Sequence, residues 1–189
     1  MLSPLPEYAL LFFRLSLTLV FVLAVVAKLR DLPAFTKATA DLSGLPARAA
    51  RPAATAVVLA EATAAVSIAA GGDALTWGLL LAAGLLLLFS AQLMLALLRG
   101  RSVSCNCFGR STQPISALDL LRNAGLIACA CAALVLQMLT PHQSVVRTDA
   151  LALVAVMALL FVTVWLRLPD VSLILRPARQ AAATKESLS

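Results

Sequence analysis

Apolar residues dominate five stretches of the chain, and each is close to the length that a helix needs to cross a bilayer. A spanning helix takes about 20 mostly apolar residues. We therefore predict five membrane spans, at 8–27, 53–70, 75–98, 118–139 and 150–165. The connections are too short for a separate soluble domain. The pattern thus predicts an all-α integral membrane helix bundle at 1–170, followed by a basic, disordered cytoplasmic tail at 171–189.

The first two stretches each have a competing interpretation. The first ends in Val25-Val26-Ala27, which resembles a signal-peptide cleavage site, but no Lys or Arg precedes the long apolar run, so we predict a retained span. The second is rich in Ala and carries Glu61, which a bundle tolerates only with a partner. The connection between these spans is predicted to hold a short interfacial helix at about 34–42.

Composition supports the membrane assignment. Hydrophobic residues make up 61% of the chain and charged residues 13%, against roughly 45–50% and about 25% in soluble domains. A soluble chain of this size has no interior large enough for that much apolar surface. We therefore exclude a soluble enzyme, a nucleic-acid-binding domain and a disordered chain.

Charge is distributed unevenly about the predicted spans. The net charge is +6, and most of the 15 Lys and Arg residues fall on one side of the five-span topology. Because positive residues favour the cytoplasmic side, we predict an external N-terminus and a cytoplasmic C-terminus. The same rule places the connection between the third and fourth spans at the cytoplasmic face.

That connection contains two thiols separated by one residue, Cys105 and Cys107. Such a pair can close a small, strained disulfide ring, and strained, exposed disulfides tend to be labile or catalytic. Neighbouring arginines, among them Arg110, favour the reactive thiolate. The alternatives are inert thiols and a soft-metal site for Cu(I) or Hg(II). We predict no structural zinc, because the chain offers too few further ligands.

Other polar residues lie within the predicted spans. We expect Glu61 to pair with Arg14 or Arg122, either as a clamp between helices or as a polar site that handles protons or a quinone head group. Cys129 and Cys131 point to opposite sides of one helix. They are expected to act as small apolar side chains, with an electron relay as the alternative.

A second group of residues is expected to act through packing or anchoring. Trp77 and Trp165 lie at span ends, as interfacial anchors do. Gly78 and Gly125 are expected to allow close packing of helices.

The chain resembles the methylamine utilisation protein MauE family, among the DoxX-like membrane proteins. The resemblance rests on Cys105-Asn106-Cys107-Phe108-Gly109, Arg122-Asn123, Lys28-Leu29-Arg30-Asp31 and Glu61, and covers about residues 8–140. It implies a four-helix DoxX-like core with a fifth transmembrane helix. The family pattern has Gly where this chain has Asn106, the non-Gly residue that best tolerates left-handed backbone.

The resemblance implies a role in the maturation of a periplasmic protein rich in disulfides, as in methylamine dehydrogenase maturation. The implied partners are a thioredoxin-like protein and a disulfide-containing client, in a bacterial cytoplasmic (inner) membrane. No nucleic acid is expected, no cofactor is assigned, and a quinone stays open. The candidate catalytic residues are Cys105 and Cys107, and the supporting residues are Phe108, Gly109, Arg110, Arg122, Asn123, Glu61, Arg14 and Lys28.

Three functions stay open at this point. The first is a thiol–disulfide redox protein or its accessory. The second is a soft-metal transporter that captures ions with the two thiols, and the third is a non-catalytic assembly subunit. The charge rule puts the thiols in the cytoplasm, whereas a periplasmic client needs them outside. Access from both faces, electron transfer across the membrane or an error of one span would each resolve that conflict.

Overall fold

The computed structural model describes residues 5–99, 117–139 and 148–167, and this part of the chain folds into six helices without strands. The helices are α1 (Leu5–Arg30), α2 (Leu32–Ser43), α3 (Ala47–Ala70), α4 (Gly72–Leu98), α5 (Ala117–Leu139) and α6 (Thr148–Leu166). The all-α class predicted from the sequence is confirmed.

Four of these helices are long and apolar enough to cross a membrane: α1, α3 from Arg48 onward, α4 and α5. They correspond to the first four predicted spans. In α6 the apolar segment Leu151–Leu166 is shorter, so a fifth crossing stays a prediction. Helix α3 also begins earlier than the predicted span, and Pro52 lies inside it rather than at its start.

Helix α2 is the short helix expected between the first two spans, and local residues define both of its ends. The Asp31 side chain accepts a hydrogen bond from the Ala34 amide at 3.2 Å, and Pro33 lies in the first turn. Both features favour a helix start. Gly44 ends the helix with a left-handed φ of 71°, which glycine adopts at little cost.

The core forms where α1 contacts α3 and α5, and where α4 contacts α3 and α5. Helix α2 packs on α3, and α6 packs on α1. The turn between α3 and α4 is tight, and Gly78 lies directly against α3. A Cβ at that position would come within 2.8 Å of the Ile68 nitrogen. The close packing expected of Gly78 is therefore confirmed.

An aromatic row fixes α6 to the bundle. Phe161 makes an edge contact with Phe12 of α1 and stacks on Trp165, each with 5.4 Å between ring centroids. The Trp165 indole nitrogen donates to the Arg122 carbonyl oxygen at 3.1 Å. Trp165 thus has a packing role that the sequence did not predict, whereas Trp77 is 73% exposed, as suits an anchor.

Gly125 makes room for the Trp165 ring, and enlarging it tests that contact. A Cβ there would come within 2.1 Å of Trp165 Cζ2, so Gly125→Ala must displace α6 or the indole. We expect a loss of about 1–3 kcal/mol in the free energy of unfolding, the usual cost of overpacking. The measurement is reversible unfolding of the purified protein in detergent.

The matched control is Gly84→Ala on α4, where an added Cβ meets nothing within 4 Å. This variant should be as stable as the parent protein or slightly more so, because Ala favours helix over Gly. Equal stability of the two variants would contradict the proposed contact.

Candidate functional site

The most deeply buried charged groups in the described helices form an ion pair between α1 and α3. Lys28 Nζ lies 2.5 Å from Glu61 Oε1, and each side chain is only 1% exposed. Removing two charges from water costs several kcal/mol per ion, which only a close partner and further hydrogen bonds can offset. The pair therefore constrains how α1 and α3 pack.

The expectation that Glu61 pairs with Arg14 or Arg122 is wrong, because the salt-bridge partner is Lys28. Lys28 stands close to the end of α1, where a lysine would ordinarily extend to the membrane surface. However, Leu17, Phe21 and Ala24 are buried on α1 at helical spacing. Lys28 continues that spacing, so its side chain lies in the bundle and not at the surface.

Arg14 lies on the same stripe of α1, about 21 Å along the helix axis from Lys28 at 1.5 Å per residue. Its guanidinium donates to the Ala69 carbonyl oxygen at 3.3 Å, close to the end of α3. A cation at that position satisfies a terminal carbonyl and interacts favourably with the helix dipole. Arg14 is thus a capping residue at the opposite end of the bundle from the ion pair.

Arg122 and Asn123 of α5 lie beside the ion pair and are 6% and 3% exposed. Together with Lys28 and Glu61 they line a cavity of about 10 Å³. That is close to the smallest volume that holds one water. We call these four residues the polar cluster. Four of the predicted supporting residues are therefore adjacent in space, although their role stays a prediction.

Charges within and next to the polar cluster are nearly balanced. Arg122 also faces Asp119 one turn earlier on α5, with 3.6 Å between Nη2 and Oδ1. Glu61 Oε2 is buried without a hydrogen-bond partner among the residues that the structure describes. This oxygen favours a hydrogen-bond donor, such as a water molecule, in the cavity. A buried carboxylate oxygen without a hydrogen bond costs free energy of folding.

Two aromatic rings cover the Lys28 ammonium group. Nζ lies 5.1 Å from the Phe35 ring centroid and 5.3 Å from that of Phe89, within the range of cation–π attraction. Phe89 is a residue of this site that the sequence did not predict. The signal available was its helical spacing with the core residues Ala82, Leu86 and Leu93 of α4.

The predicted catalytic residues fall outside the described ranges. These are Cys105 and Cys107, and the same holds for the supporting residues Phe108, Gly109 and Arg110. The segment that carries them joins the end of α4 to the start of α5, the helix that contributes Arg122 and Asn123 to the polar cluster.

The two remaining cysteines lie on α5 and differ in their surroundings. Cys129 is partly buried against the main core, whereas Cys131 is exposed, and both are free thiols. Their different exposure agrees with the opposite helix faces predicted for them. Within 5–99, 117–139 and 148–167, no group of three or more metal-ligating side chains is present.

Comparison with known proteins finds a family match over most of the chain. The family model for methylamine utilisation protein MauE matches residues 6–137. Methylamine utilization protein MauE of Paracoccus denitrificans is 37% identical over 134 residues, which cover 70% of each chain. No solved structure matches. The matched range contains the two loop cysteines and the whole polar cluster, and it ends before α6.

The ion pair can be tested by removing its members singly and together. We expect Lys28→Met and Glu61→Leu each to lower the free energy of unfolding by about 3–5 kcal/mol, because each leaves one charge buried without its partner. The double variant should be more stable than either single variant, since an apolar pair needs no desolvation. Unfolding in detergent gives the free energy of unfolding of the parent protein, the two single variants and the double variant. If the loss in the double variant equalled the sum of the two single losses, the coupling between Lys28 and Glu61 would be contradicted.

Proposed function

Because the chain belongs to the methylamine utilisation protein MauE family, we propose that it is a membrane thiol–disulfide redox protein, or an accessory to one. In this proposal it supports disulfide formation in an extracytoplasmic client protein during methylamine utilisation. Its partners are a thioredoxin-like protein and that client, and it works in a bacterial cytoplasmic membrane.

The proposed chemistry is thiol–disulfide exchange at Cys105 and Cys107. A partner thiolate attacks the Cys105 sulfur, the bond between the two loop cysteines breaks, and Cys107 leaves as a thiolate. The partner's second thiol then attacks the partner sulfur that is bonded to Cys105, and Cys105 leaves as a thiolate. This releases the oxidised partner and leaves both loop cysteines reduced. The reverse sequence passes the disulfide to the loop cysteines.

The observation that supports this proposal is the polar cluster, because two of its members lie on α5, the helix that follows the cysteine-bearing segment in sequence. Arg122 and Asn123 lie close to the start of α5, and they line the same small cavity as Lys28 of α1 and Glu61 of α3. A redox loop needs supports that hold its flanking helices in place. Cationic groups nearby also favour thiolate over thiol. We propose that the cluster performs both tasks.

Thiol trapping in intact cells tests whether the two loop cysteines form a reversible disulfide. The starting protein carries Cys129→Ala and Cys131→Ala, so that only the loop thiols react with maleimide. We expect no labelling under oxidising conditions and labelling of both thiols after reduction. Cys105→Ser should leave Cys107 reactive in both states. Equal labelling before and after reduction would leave the soft-metal and assembly functions as the alternatives.

A membrane-impermeant maleimide in the same experiment identifies the face that presents the thiols. Charge asymmetry predicts protection from the external reagent, whereas direct exchange with a periplasmic client requires labelling. Labelling from outside would therefore overturn the predicted orientation and support direct exchange.

Trapping the mixed disulfide tests the assignment of Cys105. In the reverse direction, Cys105 attacks an oxidised partner, and Cys107→Ser should accumulate a partner-linked species that disappears on reduction, because no second loop thiol remains to displace the partner. Cys105→Ser should accumulate far less. A non-catalytic assembly subunit predicts no such species, and unchanged client maturation in both variants.

A further inference from the structure

The small cavity of the polar cluster lies on the axis of the helix bundle. Helix α1 contacts α3 and α5, and α4 contacts the same two helices, so α3 and α5 stand across the axis from each other. All four helices contribute residues to the cavity wall. The cavity therefore lies between Glu61 of α3 on one side and Arg122 and Asn123 of α5 on the other.

One oxygen of the Glu61 carboxylate needs a further hydrogen-bond donor. Lys28 Nζ donates to Oε1 at 2.5 Å, whereas Oε2 is buried and accepts no hydrogen bond from the residues that the structure describes. The Glu61 side chain is only 1% exposed, so bulk water does not reach this oxygen. The cost of leaving Oε2 without a hydrogen bond is therefore removed only by a donor inside the bundle.

The size of the cavity limits the donor to a molecule of about the volume of water. A volume of about 10 Å³ accepts one water, and a buried water needs about two to four polar partners. The four side chains of the polar cluster offer such partners around that volume. The rest of the wall is apolar and consists of Val20, Phe21, Ala24, Leu86 and Phe89.

The charges around the cavity disfavour an ion at this position. A metal cation would lie beside the Lys28 ammonium and the Arg122 guanidinium, and Glu61 is the one carboxylate among the lining residues. Like charges repel strongly in an interior of low dielectric. An anion would lie against Glu61 Oε2, and an ionised carboxylate can only accept hydrogen bonds. A water is neutral and both donates and accepts.

We infer that the polar cluster binds one internal water, which donates to Glu61 Oε2 and accepts from the side-chain amide of Asn123. The Arg122 guanidinium is already engaged by Asp119, so Asn123 is the available donor on α5. The water joins α3 to α5 across the bundle axis, and a bridging water is nearly as favourable in enthalpy as a direct hydrogen bond. The site uses no residue of the cysteine-bearing segment, so it is independent of the proposed function.

NMR of the full-length protein, with labelled alanine methyl groups in deuterated detergent, tests for the water directly. Ala24 lines the cavity and is 2% exposed, whereas Ala54 is 0% exposed and is not part of the cavity wall. We expect a nuclear Overhauser effect between water and the Ala24 methyl group, and none between water and the Ala54 methyl group. Asn123→Leu should lose the Ala24 signal, because it removes the amide at similar size.

The matched control is Gln137→Leu, which removes an amide from the same helix but away from the cavity. The Gln137 amide donates to Thr76 Oγ1 at 3.0 Å on α4, so this variant should keep the Ala24 signal of the parent protein. An experimental structure that resolves internal waters gives the position of the molecule. We expect one water at about 2.5–3.0 Å from Glu61 Oε2, also within hydrogen-bond distance of the Asn123 amide nitrogen.

Three results would overturn the water site. The first is a parent protein in which water gives the Ala24 methyl group no more signal than the Ala54 methyl group. The second is an unchanged Ala24 signal in Asn123→Leu, which would identify exchange through the Lys28 ammonium protons, or a water held without Asn123. The third is an experimental structure in which a protein group donates directly to Glu61 Oε2. The first and third need no variant, so they decide the matter even where Asn123→Leu does not fold.

Discussion

The fold depends on one interaction, the ion pair between Lys28 of α1 and Glu61 of α3. A bilayer offers these groups no water, so neither charge is tolerated in a span unless the other helix delivers its partner. Meeting at 2.5 Å fixes both the rotation of the two helices and their relative height. Apolar packing alone constrains the rotation and height of the helices less, because a leucine side chain contacts lipid tails as favourably as it contacts another helix.

The consequences extend outward from the pair in two directions. On one side, α5 brings Arg122 and Asn123 against it and encloses a cavity with room for about one water. On the other side, Phe35 of α2 and Phe89 of α4 cover the ammonium group, and both rings also line an apolar cavity between α2, α3 and α4. The ion pair thus lies between a small internal cavity and the aromatic side chains that line a larger apolar one.

The sequence predicted the parts of this arrangement that depend on local pattern. Four spans, the α2 helix, the need of Glu61 for a partner and the close approach at Gly78 and Gly125 all follow from spacing and residue size. It did not predict that the partner is Lys28 or that Phe89 covers it, because those facts depend on which faces of separate helices meet. A lysine close to a helix end also has an alternative at the membrane surface, which local pattern cannot exclude.

Helix α6 lies beyond the range that the family model matches, yet it contacts Arg122 of the polar cluster. Its Trp165 donates to the Arg122 carbonyl oxygen, while the Arg122 side chain lines the polar cluster from the other direction. The first turns of α5 are therefore held through both the backbone and the side chain of one residue. A shift of α6 would therefore also shift the start of α5, the helix that follows the segment carrying Cys105 and Cys107 in sequence. The helix outside the family match thus contacts, through Trp165, a residue of the polar cluster that lies inside the match.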